Sequence, residues 1–245
     1  MKILVCITHV PDTTSRIAFT DGNTKFDKNG IQFIIGPYDD YALARAVELK
    51  EQHGGSITAI NVGEAETEPT IRKALAIGAD EAIRVNAHPE DAIFVAKQIA
   101  SVAKGGDYDL ILMGRESIDF NGGQVHGMVG EILGIPSISP VMKLDIEGNT
   151  AKVTREIEGG KEYLEIEMPF IAGCQEPIAE WKIPNMRGIM SARTKPLNVI
   201  DPTGDNPMNV VEVFEMPPAK SGVKLVEPDN LEELVKLLKT EAKVI

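Results

Sequence analysis

Residues 110–125 read Leu110-Ile111-Leu112-Met113-Gly114-Arg115-Glu116-Ser117-Ile118-Asp119-Phe120-Asn121-Gly122-Gly123-Gln124-Val125, and they decide the fold. The first four residues form a short apolar run of the kind that a strand buried on both faces requires. Gly114 ends the run. A polar loop follows, and a helix is expected over Val125–Leu133. Strand, loop and helix in this order build the crevice that open α/β sheets place outside the carboxyl ends of their strands. Glycines ahead of a helix leave free backbone N–H groups facing outward, and Asn121, Gly122 and Gly123 would let the backbone close around a phosphate. The same residues also make a plain flexible turn, so the loop alone leaves both readings open.

The rest of the first half repeats this alternation. Residues 3–10, 57–62 and 82–85 are further apolar runs that read as buried strands. Between them, residues 39–52 carry an apolar stripe (Ala42, Leu43, Ala46, Val47, Leu49) after Pro37. Residues 67–77 open with Thr67 as a cap and stop at Gly78, and residues 89–103 give a third helix. An open, mostly parallel α/β sheet is therefore expected.

Two segments interrupt it. Residues 21–35, with Asp21-Gly22-Asn23 and Asp27-Lys28-Asn29-Gly30, read as a small hairpin excursion. Residues 150–157 and 162–168 flank Glu158-Gly159-Gly160-Lys161 as a second hairpin, and residues 170–174 read as one more buried strand. From 175 to 228 the chain is rich in proline and poor in periodicity. A structureless loop of that length is uncommon inside a compact domain, so it reads as an arm laid across a partner. A helix with Leu231, Leu234, Val235 and Leu238 on one face ends the chain, with Asp229 as its expected cap. The expected division is a nucleotide-binding α/β domain over 1–190 and an arm plus helix, packing on a partner, over 191–245.

The chain has 245 residues and a formal net charge of −12, which disfavours nucleic acid and anionic bilayers as partners. Aromatic residues make up 5%, so the core must be mostly aliphatic. Two cysteines, Cys6 and Cys174, suit neither a disulfide framework nor a zinc ribbon. No targeting segment or long apolar span is read at either end, so the expected location is cytoplasmic without stable membrane insertion.

No P-loop, G-x-G-x-x-G, G-x-S-x-G or H-E-x-x-H pattern occurs, and His9, His53, His88 and His126 fall on separate elements. No metal site and no catalytic residue is assigned. Two further turns lie at corresponding strand ends: residues 8–14, and Gly36-Pro37-Tyr38-Asp39 at the start of a helix. The three turns could converge on one nucleotide. The pattern speaks of binding, not catalysis.

Five ordered stretches resemble the electron-transfer flavoprotein beta (small) subunit family. They are residues 2–12, 36–42, 70–80 and 114–124, and the hairpin 153–164 closed by Pro169. Residues 189–197, Ile189-Met190-Ser191-Ala192-Arg193-Thr194-Lys195-Pro196-Leu197, further resemble the family's exposed recognition loop. The resemblance implies an adenine-nucleotide alpha-hydrolase-like fold, and a heterodimer with an alpha subunit whose mobile domain carries most of an FAD. It implies an electron carrier, not an enzyme, serving acyl-CoA-type or other flavoprotein dehydrogenases. It also implies an AMP contacted by Cys6, Gly36, Pro37, Tyr38, Asp39, Val62, Gly114, Asp119, Asn121, Gly122, Gly123, Gln124 and Val125. Met186 aligns with the apolar anchor for dehydrogenases, and Glu156 with a carboxylate that can ion-pair with the mobile flavin domain. Gly36 stands where the family usually has Asn, Val125 where a Thr is usual, and Ala172-Gly173 where a branched apolar and a small polar residue are usual. In bifurcating relatives the AMP pocket holds a second FAD. The run Phe120-Asn121-Gly122-Gly123-Gln124 departs from their Gly-Asp-Thr-Ala-Gln and favours AMP, while Val125 resembles the bifurcating pattern. A stand-alone nucleotide-binding regulator of the stress type shares the core but needs neither arm nor apolar terminal helix.

Overall fold

A computed structural model describes residues 1–204, 206–219 and 222–245. Along the chain run β1 (Lys2–Cys6), β2 (His9–Pro11), β3 (Phe19–Thr20), β4 (Lys25–Phe26), β5 (Phe33–Ile35), α1 (Pro37–His53), β6 (Ser56–Val62), α2 (Glu68–Ile77), β7 (Glu81–Val85), α3 (Ala92–Lys104), β8 (Leu110–Gly114), α4 (Val125–Leu133), β9 (Ser137–Glu147), β10 (Thr150–Ile157), β11 (Gly160–Glu167), β12 (Phe170–Cys174), α5 (Met186–Ala192), β13 (Leu197–Ile200) and α6 (Leu231–Leu237).

Nine strands form one sheet in the order β11-β10-β9-β12-β8-β1-β6-β7-β13. Six of its eight pairings are parallel, and only β9–β10 and β10–β11 are antiparallel. The alternation of apolar runs and helical stripes thus gives the expected α/β architecture. Successive residues of β1 point to opposite faces. Ile3 and Val5 join Leu43, Ala46 and Leu75 of α1 and α2, whereas Leu4 and Cys6 join Phe94, Ile99 and Val129 of α3 and α4. Both layers are built mostly from aliphatic side chains, many with no exposed area, with Phe170 in one and Phe94 in the other. Each Leu or Ile removed from water in this way contributes about 1.5–3 kcal/mol.

From β1 the chain steps to β6 and β7 on one side, then returns to β8 and β12 on the other. The direction of winding reverses between β1 and β8, and such a reversal is where an open α/β sheet leaves a crevice at the carboxyl ends.

Several local expectations are corrected. The run 3–10 is not one strand: β1 stops at Cys6, and His9–Pro11 pair with β5 in a separate two-stranded sheet. Thr8 causes the break, because Asp39 takes both its N–H and its hydroxyl. Thr67 precedes α2 but does not cap it through its side chain; its hydroxyl donates to the Glu64 carbonyl across a 3-10 turn. The third helix starts at Ala92, capped by Asp91, whose side chain accepts from the Phe94 N–H. Asn230, not Asp229, caps α6. The eleven residues of β9 form a strand that no local pattern announces. Its alternation is interrupted around Pro140, and it has one partly exposed face.

The tail is held at its start by its own domain. Leu197–Ile200, which fall in the segment expected as an arm, add the edge strand β13 beside β7. The buried side chain of Gln98 exchanges two hydrogen bonds of 2.7 Å with Thr203. One oxygen of Asp91 caps α3 while the other accepts the N–H groups of Met208 and Asn209. Phe214 stacks on Phe19 at 4.8 Å, and its N–H donates to the Asn23 carbonyl. Beyond that point Met216, Val223, Leu225, Leu231, Leu234 and Val235 are exposed. No helix among the described residues is long and apolar enough to cross a membrane.

Asp91→Ala should remove the cap of α3 and the tether of the arm together. The expected result is a loss of about 1 kcal/mol of stability and faster hydrogen exchange at the Met208 and Asn209 amides. Unchanged exchange there would contradict the tether.

Candidate functional site

The crevice at the winding reversal is closed at its base by one carboxylate. Asp39 lies in the first turn of α1, where free N–H groups and the positive end of the helix dipole favour an anion. Its Oδ2 accepts the Thr8 N–H at 2.8 Å and the Thr8 hydroxyl at 2.6 Å. Its Oδ1 accepts the Gly114 N–H at 2.9 Å. Thr8 follows β1 and Gly114 ends β8, so Asp39 ties together the two strands that flank the reversal. The three turns singled out from the sequence do meet, but Asp39 acts as their brace, with both oxygens occupied within the chain. Thr8, which donates to it twice, opens the turn 8–14 singled out above.

Close approach explains two glycines. A Cβ on Gly114 would stand 2.6 Å from Asp39 Oδ1 and 2.8 Å from the Tyr38 Cβ. One on Gly36 would meet Asp39 Oδ2 at 2.6 Å. Neither position has room for a side chain while the brace is in place.

Burial pushes the Asp39 carboxyl up to about 6, while its bonds from Thr8 and Gly114 oppose the rise. The sign for stability follows from the direction. Between the ordinary carboxylate value and about pH 6 the folded chain holds a proton that the unfolded chain has lost, so this group's contribution weakens as pH rises through that window.

Around the brace the other residues fall into place. Cys6 ends β1 and Val62 ends β6; both are buried in the layer that packs on α3 and α4. Burial, with a smaller push from Asp39, raises the Cys6 thiol, and burial likewise raises Cys174, so neither is a thiolate near neutral pH. Val125 is the first residue of α4 and packs against the same layer. Residues 121–124 form an exposed loop, with Asn121 at φ 48° and Gly123 at φ 57°. Left-handed backbone at these two positions folds the loop into a turn before α4, whose first N–H groups have no side-chain cap. Asp119 accepts the Ser117 hydroxyl and the Phe120 N–H and so shapes the same loop.

Arg115 and His126 also serve this region and were not singled out as site residues. The Arg115 guanidinium lies 4.9 Å from the Tyr38 ring centre and donates to Glu116 and Gln175. His126 Nδ1 sits 3.2 Å from Ser137 Oγ. Burial lowers its pKa, which favours the neutral imidazole. Arg115 could have been suspected from its place directly after Gly114; the partner of His126 lies on β9, which the sequence did not reveal. His9, by contrast, stacks on Phe33 at 4.3 Å and bonds Thr70, a packing role.

Met186 and Glu156 do not join the brace directly. Met186 opens α5, is 74% exposed, and belongs to a helix held on α2 by Arg72, which donates to the Ala192 and Lys195 carbonyls. Glu156, on β10, accepts from Gln175. Chemically, buried apolar strand ends and the uncapped N–H groups at the start of α4 meet at this end of the sheet, a combination suited to an adenine and a phosphate. A nucleophile with a poised base is not assembled among the described residues that line it.

The electron transfer flavoprotein domain matches residues 24–204. The electron transfer flavoprotein subunit beta of Bacillus subtilis (strain 168) is 35% identical over 260 residues, covering 100% of both chains. That of Syntrophomonas wolfei is 33% identical over 250 residues, covering 100% of this chain and 98% of its own. The Homo sapiens protein of the same name is 31% identical over 251 residues, covering 98% and 97%.

Replacing Asp39 by Asn keeps the size but offers Thr8 and Gly114 one acceptor oxygen instead of two. The wild-type advantage over this variant should shrink as pH rises from about 4 to about 6, by up to about 3 kcal/mol. Denaturant unfolding at several pH values checks this, and a pH-independent difference would refute the buried-carboxyl account.

Proposed function

Since the chain belongs to the electron transfer flavoprotein family, as a beta-type subunit, we propose that it pairs with an alpha subunit. In that dimer it takes part in accepting electrons from flavoprotein dehydrogenases and passing them on, while holding an AMP at the braced crevice. The observation that carries this reading is the Asp39 brace at the winding reversal, which presents the glycine loop and the start of α4 as a preformed anion-binding edge. Its own residues supply binding and no electron-accepting group. Backbone N–H groups of residues 122–125 would hold the phosphate, since the Asn121 N–H already donates to the Ser117 carbonyl, and the apolar strand ends at Cys6 and Val62 would flank the base. The FAD of the dimer supplies the redox chemistry when bound.

Support for the partner comes from the exposed apolar residues beyond Phe214 and on α6. A seven-residue helix is not stable alone in water, so its apolar face suits a second polypeptide. The division into a nucleotide-binding body and a partner-facing arm is part of the proposal, with β13 and the tether at Asp91 belonging to the body.

Docking to dehydrogenases is assigned to Met186 and its surroundings. Met186, Met190 and Ile183 are exposed together with Arg187, and flexible thioethers adapt to differently shaped pockets. Glu156 is assigned to an ion pair with the flavin-bearing domain of the alpha subunit.

A second reading places another FAD at the crevice, and Val125, which resembles the bifurcating pattern, favours it. Acid release of ligands from the purified dimer should yield one FAD and one AMP; two FAD would move the chain to the bifurcating class. Met186→Ala should slow reduction by a dehydrogenase by about tenfold or more, given about 1.5–3 kcal/mol for a buried Met. Flavin content should stay intact, and loss of flavin in step with rate would instead make α5 structural.

A further inference from the structure

Arg115 and Glu156 are joined through a single amide. Arg115 Nη1 donates to Gln175 Oε1 at 3.0 Å, and Gln175 Nε2 donates to Glu156 Oε2 at 2.7 Å. The orientation of that amide is not ambiguous, because a guanidinium only donates and a carboxylate only accepts. Gln175 is 7% exposed, and its backbone is fixed too: its N–H donates to the Val141 carbonyl and its carbonyl accepts from Ile178. It directly follows β12, whose last residue takes the Arg115 N–H. One side of the amide therefore touches the braced turn and the other touches the hairpin.

We propose that Gln175 is a positioning residue that couples the nucleotide turn at Gly114–Arg115 to the docking carboxylate of Glu156, holding it in place for a cation of the partner's flavin domain. The inference rests on the docking role given to Glu156 above. A neutral donor is the informative choice here. It fixes the Glu156 side chain without cancelling its charge, whereas a direct bond from Arg115 would neutralise it. The cations nearby are otherwise disposed: Arg155 pairs with Glu162, Arg115 pairs with Glu116, and Lys161, opposite Glu156 across the hairpin, forms no ion pair with it. The second oxygen of Glu156 has no hydrogen-bond partner among the described residues. Ordering a long side chain before contact removes part of the entropy cost of docking.

The test uses the complete dimer with its alpha subunit and flavin. One spin label is placed at Asn149→Cys on the exposed β9–β10 turn and one on the flavin domain, and distance distributions give the docked fraction. Cys6 and Cys174 are buried and stay unlabelled. Gln175→Leu should lower the docked-to-undocked ratio about threefold to tenfold at low salt, with FAD and nucleotide content unchanged. Glu156→Gln alone reports on the premise: an unchanged docked fraction would remove the docking role itself. If Glu156→Gln undocks the domain and Gln175→Leu does not, the positioning role is overturned. Adding Gln175→Leu to Glu156→Gln should cost nothing more, and fully multiplying losses would overturn it as well. Loss of nucleotide along with docking would mean that Gln175 merely supports the turn, also against the proposal. Should the Leu variant give no dimer, Gln175→Glu keeps the acceptor for Arg115 and sets a like charge against Glu156. It should undock the domain more strongly at low salt than at high salt, and a salt-independent result would refute the coupling.

Discussion

The carboxylate of Asp39 is the constraint on which the rest depends. Strands β1 and β8 are neighbours in the sheet, but beyond their last ladder bonds nothing in a parallel sheet keeps the outgoing chains in register. Asp39 supplies that restraint by accepting from Thr8 on one side and Gly114 on the other. Burying an ionisable group costs free energy unless it is fully hydrogen-bonded, and three donors together with the start of α1 meet that need. The raised pKa shows that the compensation is incomplete. Glycine at 36 and 114 follows from the same geometry, since a Cβ at either place would push the carboxylate out of reach.

Within the electron transfer flavoprotein family, this chain contributes a braced set of strand ends and loops. Both thiols are buried and protonated, and two of the histidines, His9 and His126, are occupied with Thr70 and Ser137. What the chain offers is shape: a glycine loop at the start of α4, an arm tethered at Gln98, Asp91 and Asn23, and exposed apolar side chains beyond the last tether. Tethering the first part of the arm restricts where its free end can reach, which lowers the entropy cost of engaging a partner. The amide of Gln175 then places the hairpin carboxylate in mechanical contact with the turn that Asp39 organises.

The sequence alone determined the strand–helix alternation, the bounds of α4, the second hairpin and the three turns at the carboxyl ends, whereas the first excursion closes only between Phe19–Thr20 and Lys25–Phe26 and sends Phe33–Ile35 to pair with β2. These depend on local signals: apolar periodicity, glycine and proline punctuation, and short turn chemistry. Membership of the family was also legible, because ordered stretches such as 36–42, 114–124 and 153–164 kept their residues. Only the tertiary structure decided that Asp39 braces the crevice, that Thr8 splits an apolar run into β1 and β2, that β9 enters the sheet beside β12, and that Leu197–Ile200 return to its far edge. It also joined Arg115 to Glu156 through Gln175. Each of these pairs residues far apart along the chain, 31 positions for Asp39 with Thr8 and 75 for Asp39 with Gly114. Periodicity reports which face of an element is buried, but the partner of a buried polar atom is chosen by the packing of whole layers, and that choice leaves no local trace.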